Sequence, residues 1–149
     1  MAMLPVADAL ARILAGVSRL GAETVPLDAA AGRTLAADLA ARRDQPVVAV
    51  SSMDGYALRA ADRAATLKLI GVSAAGRGFD GVVRPGEAVR IFTGARLPQG
   101  ADAVQMQEKA RREGESVAIL EPVAPGRHVR APGLDFRAGQ VLLTEGTRL

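Results

Sequence analysis

The chain has 149 residues, 49% of them hydrophobic and 23% charged, with a formal net charge of +3 and no cysteine. That composition suits a folded chain with one modest core or two small lobes, and it argues against disorder. It excludes a disulfide framework and a thiolate metal site, and the single histidine, His128, cannot build a histidine zinc site, so a metal would be held mainly by oxygen, which favours a hard cation such as Mg2+. The N-terminus has no basic segment leading into an apolar one, and no apolar run reaches the roughly eighteen residues that a membrane span needs, so no membrane insertion and a cytoplasmic location are expected. Nucleic acid is not an expected partner either. All but Lys68 and Lys109 of the 19 basic residues are arginine, but they are scattered, and the pairs Arg42-Arg43 and Arg111-Arg112 are each followed by an acid. Stacking rings are few: Tyr56, Phe79, Phe92 and Phe136.

In chain order, Val6, Leu10, Ile13, Leu14 and Val17 recur at helical spacing between Pro5 and Gly21, which predicts one long helix from Pro5 to Leu20 with an apolar stripe packed against the protein or a second subunit. A short strand Thr24–Leu27 is expected next, with Asp28 as the N-cap of a brief turn ending at Gly32. Leu35 to Ala41 fits strand or helix. Beyond Asp44, short strands are predicted at Leu67–Val72, Ala88–Thr93, Ala103–Gln107, Val117–Leu120 and Val141–Thr144, separated by Gly- and Pro-rich turns. From Gly139 to Leu149 the chain reads as a strand, a Glu145-Gly146 turn and a further apolar element beginning at Leu149.

Three segments carry chemistry. In Ser51-Ser52-Met53-Asp54-Gly55-Tyr56-Ala57 a carboxylate precedes a glycine, and a positive φ at Gly55 would present Asp54 at the tip of a bend. In Arg90-Ile91-Phe92-Thr93-Gly94-Ala95 a strand delivers the Thr93 hydroxyl into a loop. In Arg130-Ala131-Pro132-Gly133-Leu134-Asp135-Phe136-Arg137 an acid follows a Pro-Gly turn between two arginines. Singly, each is also ordinary turn chemistry, and Arg130 and Arg137 read equally well as solvated surface charges.

Together, and in this order and spacing, the phrases closely resemble the N-terminal region of the MoeA family, the molybdopterin molybdenumtransferases, and the likeness runs from the first helix to Leu149. The resemblance implies a mainly β chain with one N-terminal helix, arranged as two small lobes of bifurcated, coiled β-sheet. Residues 1–44 would form the first lobe, rejoined by 136–149, and residues 45–135 an inserted β lobe. It further implies a part in Mg2+-dependent insertion of molybdenum from molybdate into adenylylated molybdopterin, homodimers, and a pterin-binding domain supplied in cis or in trans beyond the region seen here. Matched position by position, Asp54, Thr93 and Asp135 are implied to be catalytic, with Asp54 and Asp135 as metal ligands and Ser52, Arg130 and Arg137 binding substrate or anion. Two departures bear on anion and metal affinity. Pro46-Val47-Val48-Ala49 lacks the aromatic and acid that many relatives carry there, and the loop before Gly133 lacks the denser arginine cluster of some. The rival reading is a non-catalytic module of the same fold, serving oligomerisation or partner binding; an anion-binding scaffold unrelated to molybdenum rests on charge alone.

Overall fold

The computed structural model describes residues 3–63 and 65–149. They form a mainly β chain with one α-helix. Contacts divide it into two compact units, 1–39 with 143–149 and 40–142. Against the boundaries expected at 44/45 and 135/136, residues 40–44 and 136–142 belong to the second unit, where they pair with each other: the Gln45 N–H donates to the Phe136 carbonyl and the Ala41 N–H to that of Gln140.

In the first unit, α1 spans Val6–Leu14, shorter than the helix expected from Pro5 to Leu20. Apolar periodicity continues through Val17, but Gly16 has no side chain to stabilise another turn and carries a high entropic cost in a helix. None of its nine residues is buried; Val6 is 85% and Ile13 69% exposed, so the apolar stripe is not covered within the chain. The expected strand at Thr24–Leu27 and the Asp28 N-cap are also corrected. Leu27–Ala29 is a single 3-10 turn with Asp28 inside it, entered from Pro26 without a side-chain cap. The closing residues 143–149 return to this unit, where the Gly32 N–H donates to the Leu149 carbonyl and the Leu35 N–H to that of Thr147.

Among the described residues ten short strands follow in chain order: β1 (Leu39–Ala40), β2 (Val50–Ser51), β3 (Gly55–Leu58), β4 (Thr66–Ser73), β5 (Glu87–Ile91), β6 (Ala103–Met106), β7 (Ala110–Glu113), β8 (Ser116–Ile119), β9 (Val129–Arg130) and β10 (Val141–Leu143). β1 pairs with β10 and β2 with β9, while the remaining six form one mixed sheet in the order β6-β3-β5-β4-β8-β7. Only β4 and β5 run parallel. That sheet holds the core of the second unit on both faces. Along β3, Tyr56 and Leu58 join one buried cluster with Leu67, Val117 and Ile119, and Ala57 joins another with Val83, Val89, Ile91 and Val104, as the two-residue alternation of a strand requires. β3 is therefore fully buried, and it enters the sheet immediately after Asp54.

Candidate functional site

The sequence expectation for Gly55 is overturned, and the correction defines the site. Gly55 is the first residue of β3, and its φ lies outside the left-handed region, unlike those of Gly94 and Gly133, at +79° and +68°. Glycine is needed at position 55 for space. A Cβ there would lie 1.9 Å from the Gln105 carbonyl oxygen of β6. The bend falls over residues 52–54 instead, and it still leaves Asp54 half-buried at the mouth of the sheet.

The Asp54 carboxylate meets the second motif. Its Oδ1 accepts hydrogen bonds from both the backbone N–H and the hydroxyl of Thr93, each at 2.8 Å. Strand β5 delivers Thr93 to this point, and the turn that follows is closed by the Ala95 N–H donating to the Phe92 carbonyl, with Gly94 in the positive-φ conformation that suits glycine. The Thr93 N–H, and then its hydroxyl, hold the Asp54 carboxyl below its ordinary value of 3.8; partial desolvation opposes this and the nearby Arg90 charge adds to it. Asp54 is thus a fixed anion.

The third motif reaches the same region through β2. Val50 pairs with Arg130 and Ser51 with Val129, while the Ser52 N–H donates to the His128 carbonyl. Ser51, 1% exposed, is where the motifs converge: its N–H donates to the Ala95 carbonyl, its own carbonyl accepts from the Gly94 N–H, and its hydroxyl donates to the Met53 carbonyl at 2.6 Å. The resemblance implies Ser52 as an anion contact; the neighbouring Ser51 is the one that ties the segments together. The Ser52 hydroxyl forms no hydrogen bond among the described residues.

Asp135 follows the Pro132-Gly133 turn as expected, with both of its oxygens accepting from Arg130 Nη2, at 2.5 and 2.7 Å. This pair is about two-fifths exposed, so it contributes little to stability, under about 1 kcal/mol, and acts mainly to orient the guanidinium. Arg137 is exposed, and its backbone N–H donates to Gln140 Oε1. Among the described residues no hydrogen bond or ion pair joins the Asp54–Thr93 pair to the Arg130–Asp135 pair, and no group of three or more His, Cys, Asp or Glu side chains could hold a metal ion. The Asp54 Oδ2 is not taken by Thr93, whereas both Asp135 oxygens accept from Arg130.

Fold and site together define a β-rich module that presents an anchored carboxylate and hydroxyl, with an arginine on β9 paired to a loop carboxylate. The family of the MoeA N-terminal region, domains I and II, matches residues 4–149, and the chain belongs to it. A molybdopterin molybdenumtransferase of Nostoc sp. is 40% identical over 139 residues, 89% of this chain and 32% of that protein; one from Synechococcus elongatus is 36% identical, covering 99% and 39%. A crystal structure of the molybdopterin biosynthesis MoeA protein from Pyrococcus horikoshii OT3 superposes with a TM-score of 0.82 at 41% identity, covering 85% of this chain and 35% of that one. The chain spans about a third of the length of the curated relatives it matches. Among the described residues no helix is long and apolar enough to cross a membrane.

Proposed function

We propose that this chain supplies the N-terminal part of a molybdopterin molybdenumtransferase, and that its Asp54–Thr93 pair helps position the reactants for insertion of molybdenum from molybdate into adenylylated molybdopterin. The observation that carries this reading is the doubly hydrogen-bonded, fixed Asp54 carboxylate that joins the first two motif segments, in a chain matched to the family over nearly its whole length. Asp54 would hold a largely hydrated Mg2+, which when bound would neutralise phosphate or molybdate oxygens. Arg130, steadied by Asp135, would bind an oxyanion through its planar fork of donors, and Arg137 and the Ser52 hydroxyl would add donors nearby. Catalysis requires all reactants in one geometry, so the pterin-binding domain is proposed to complete the site in cis or in trans. A cytoplasmic location accompanies this reading.

The test joins this chain to the remaining length of a relative and measures reconstitution of an apo-molybdoenzyme from molybdate and adenylylated molybdopterin. The joined protein is expected to be active and the 149-residue chain alone inactive. Failure of the joined protein, with its fold intact, would favour the non-catalytic module.

The exposed apolar stripe of α1 supports a further part of the same proposal, a two-fold dimer that covers it. Light scattering over a dilution series should show the mass rising from monomer to dimer, and Ile13→Glu should abolish the rise. A constant monomer mass at the highest concentrations would rule this dimer out.

A further inference from the structure

Arg90 lies in β5 directly opposite Tyr56 of β3. Its guanidinium carbon is 5.1 Å from the centroid of the Tyr56 ring and 4.7 Å from that of Phe92, within the range of cation–π attraction. Nη1 donates to the Gly55 carbonyl at 3.0 Å and Nη2 to Gln107 Oε1 at 2.6 Å. The Gln107 N–H in turn donates to the Asp54 carbonyl at 3.1 Å. One side chain therefore grips the residue after Asp54, the residue before Thr93, and the residue whose N–H holds the Asp54 backbone. Lysine could not do all of this, because it lacks the rigid planar fork that serves two acceptors while lying against a ring.

We propose that Arg90 is a positioning residue that fixes the Asp54 carboxylate against the Thr93 N–H and hydroxyl, and so sets the oxygen geometry that a cation or oxyanion would meet. This inference rests on the reading of Asp54 and Thr93 as part of the site. Arg90 need not touch substrate. Its two hydrogen bonds and two ring contacts all act on the backbone and neighbours of the pair.

The test uses amide NMR on this 149-residue chain, following the Thr93 amide proton, which the carboxylate acceptor should shift downfield. In Arg90→Met, which keeps apolar contact with the rings and removes the fork, the Thr93 signal is expected to move upfield and its exchange protection to fall about tenfold or more. The Leu69 and Ile119 amides, which donate to the Glu115 and Ala65 carbonyls, should keep theirs. Arg90→Lys should give the same change at smaller amplitude, and it carries the test if Arg90→Met does not fold. A Thr93 amide unchanged in both variants, or protection lost equally across the sheet, would overturn the proposal. Asp54→Ala, which removes the acceptor altogether, provides the second arm. If it leaves the Thr93 amide in place, the Asp54–Thr93 pair itself is refuted and Arg90 with it; if it shifts that amide while the Arg90 variants do not, the positioning role alone falls. Should the Arg90 variants shift the amide while Asp54→Asn in the joined protein keeps full activity, the functional reading fails and the positioning role stands.

Discussion

Gly55→Ala is expected to destabilise the chain by about 3 kcal/mol or more, at or above the upper end of ordinary overpacking. The new Cβ would lie 1.9 Å from the Gln105 carbonyl oxygen, 2.8 Å from its carbon and 3.1 Å from the Met106 Cα, so every close neighbour is backbone. Strand β6 cannot simply move away. Ala103 and Val104 are fully buried and Gln105 is 2% exposed, its side chain donating to the Glu121 carbonyl and accepting from the Met106 N–H. Gly114→Ala is the control. Gly114 has φ of +60° with nothing within 4 Å of the added atom, so only left-handed strain applies, about 1 kcal/mol. Urea unfolding of both variants decides it: equal losses would show that close approach is not what selects glycine at position 55.

The second large effect is functional. Asp54→Asn is expected to lower molybdenum insertion by the joined protein about 100-fold, the range typical of losing a positioned charge at a reacting centre. It should leave stability near neutral pH little changed, because the site is solvent-accessible and asparagine keeps an acceptor for Thr93. Its signature in stability against pH follows from the lowered carboxyl. A group with a depressed folded-state value contributes stability above its unfolded value and loses it as pH falls through the folded one. In the parent chain that contribution therefore fades below the ordinary carboxylate value of 3.8, and Asp54→Asn should lack this part of the acid dependence. Acid unfolding of the two proteins, compared between pH 2 and 5 as an approximate window, tests the sign.

The strands that the sequence announces are those with β-branched or aliphatic runs bounded by turns: β4, β5, β6, β8 and β10 all lie within two residues of their expected places. The strands it hides have physical reasons for silence. β3 is buried on both faces, so Gly55-Tyr56-Ala57-Leu58 shows no apolar-polar alternation, and an Asp-Gly pair at its start imitates a turn. β7, at the edge of the six-stranded sheet, is Ala-Arg-Arg-Glu and has almost no apolar content to read. The helix is overread because its apolar period outlasts the backbone that can support it. At the site, Asp54 and Thr93 are legible because their motif phrases are distinctive, and the structure brings them into direct contact. Asp135 is found in the expected loop but is matched to Arg130 rather than to a second carboxylate, a pairing that spacing alone does not reveal. Arg90 is invisible for another reason: in sequence it is a charged residue in a strand, and only the cross-strand register sets it on Tyr56, Phe92 and Gly55.

A double-mutant cycle of Asp54→Asn and Thr93→Val, read as molybdenum insertion by this chain joined to the remainder of a relative, addresses the proposed site most directly. Thr93→Val removes the hydroxyl donor while keeping the N–H, so its expected loss is smaller, about tenfold. Because the two side chains act as one unit, the double variant is expected to be no worse than Asp54→Asn alone. Full activity in Asp54→Asn, or losses that simply multiply in the double variant, would contradict a joint role for the carboxylate and the hydroxyl.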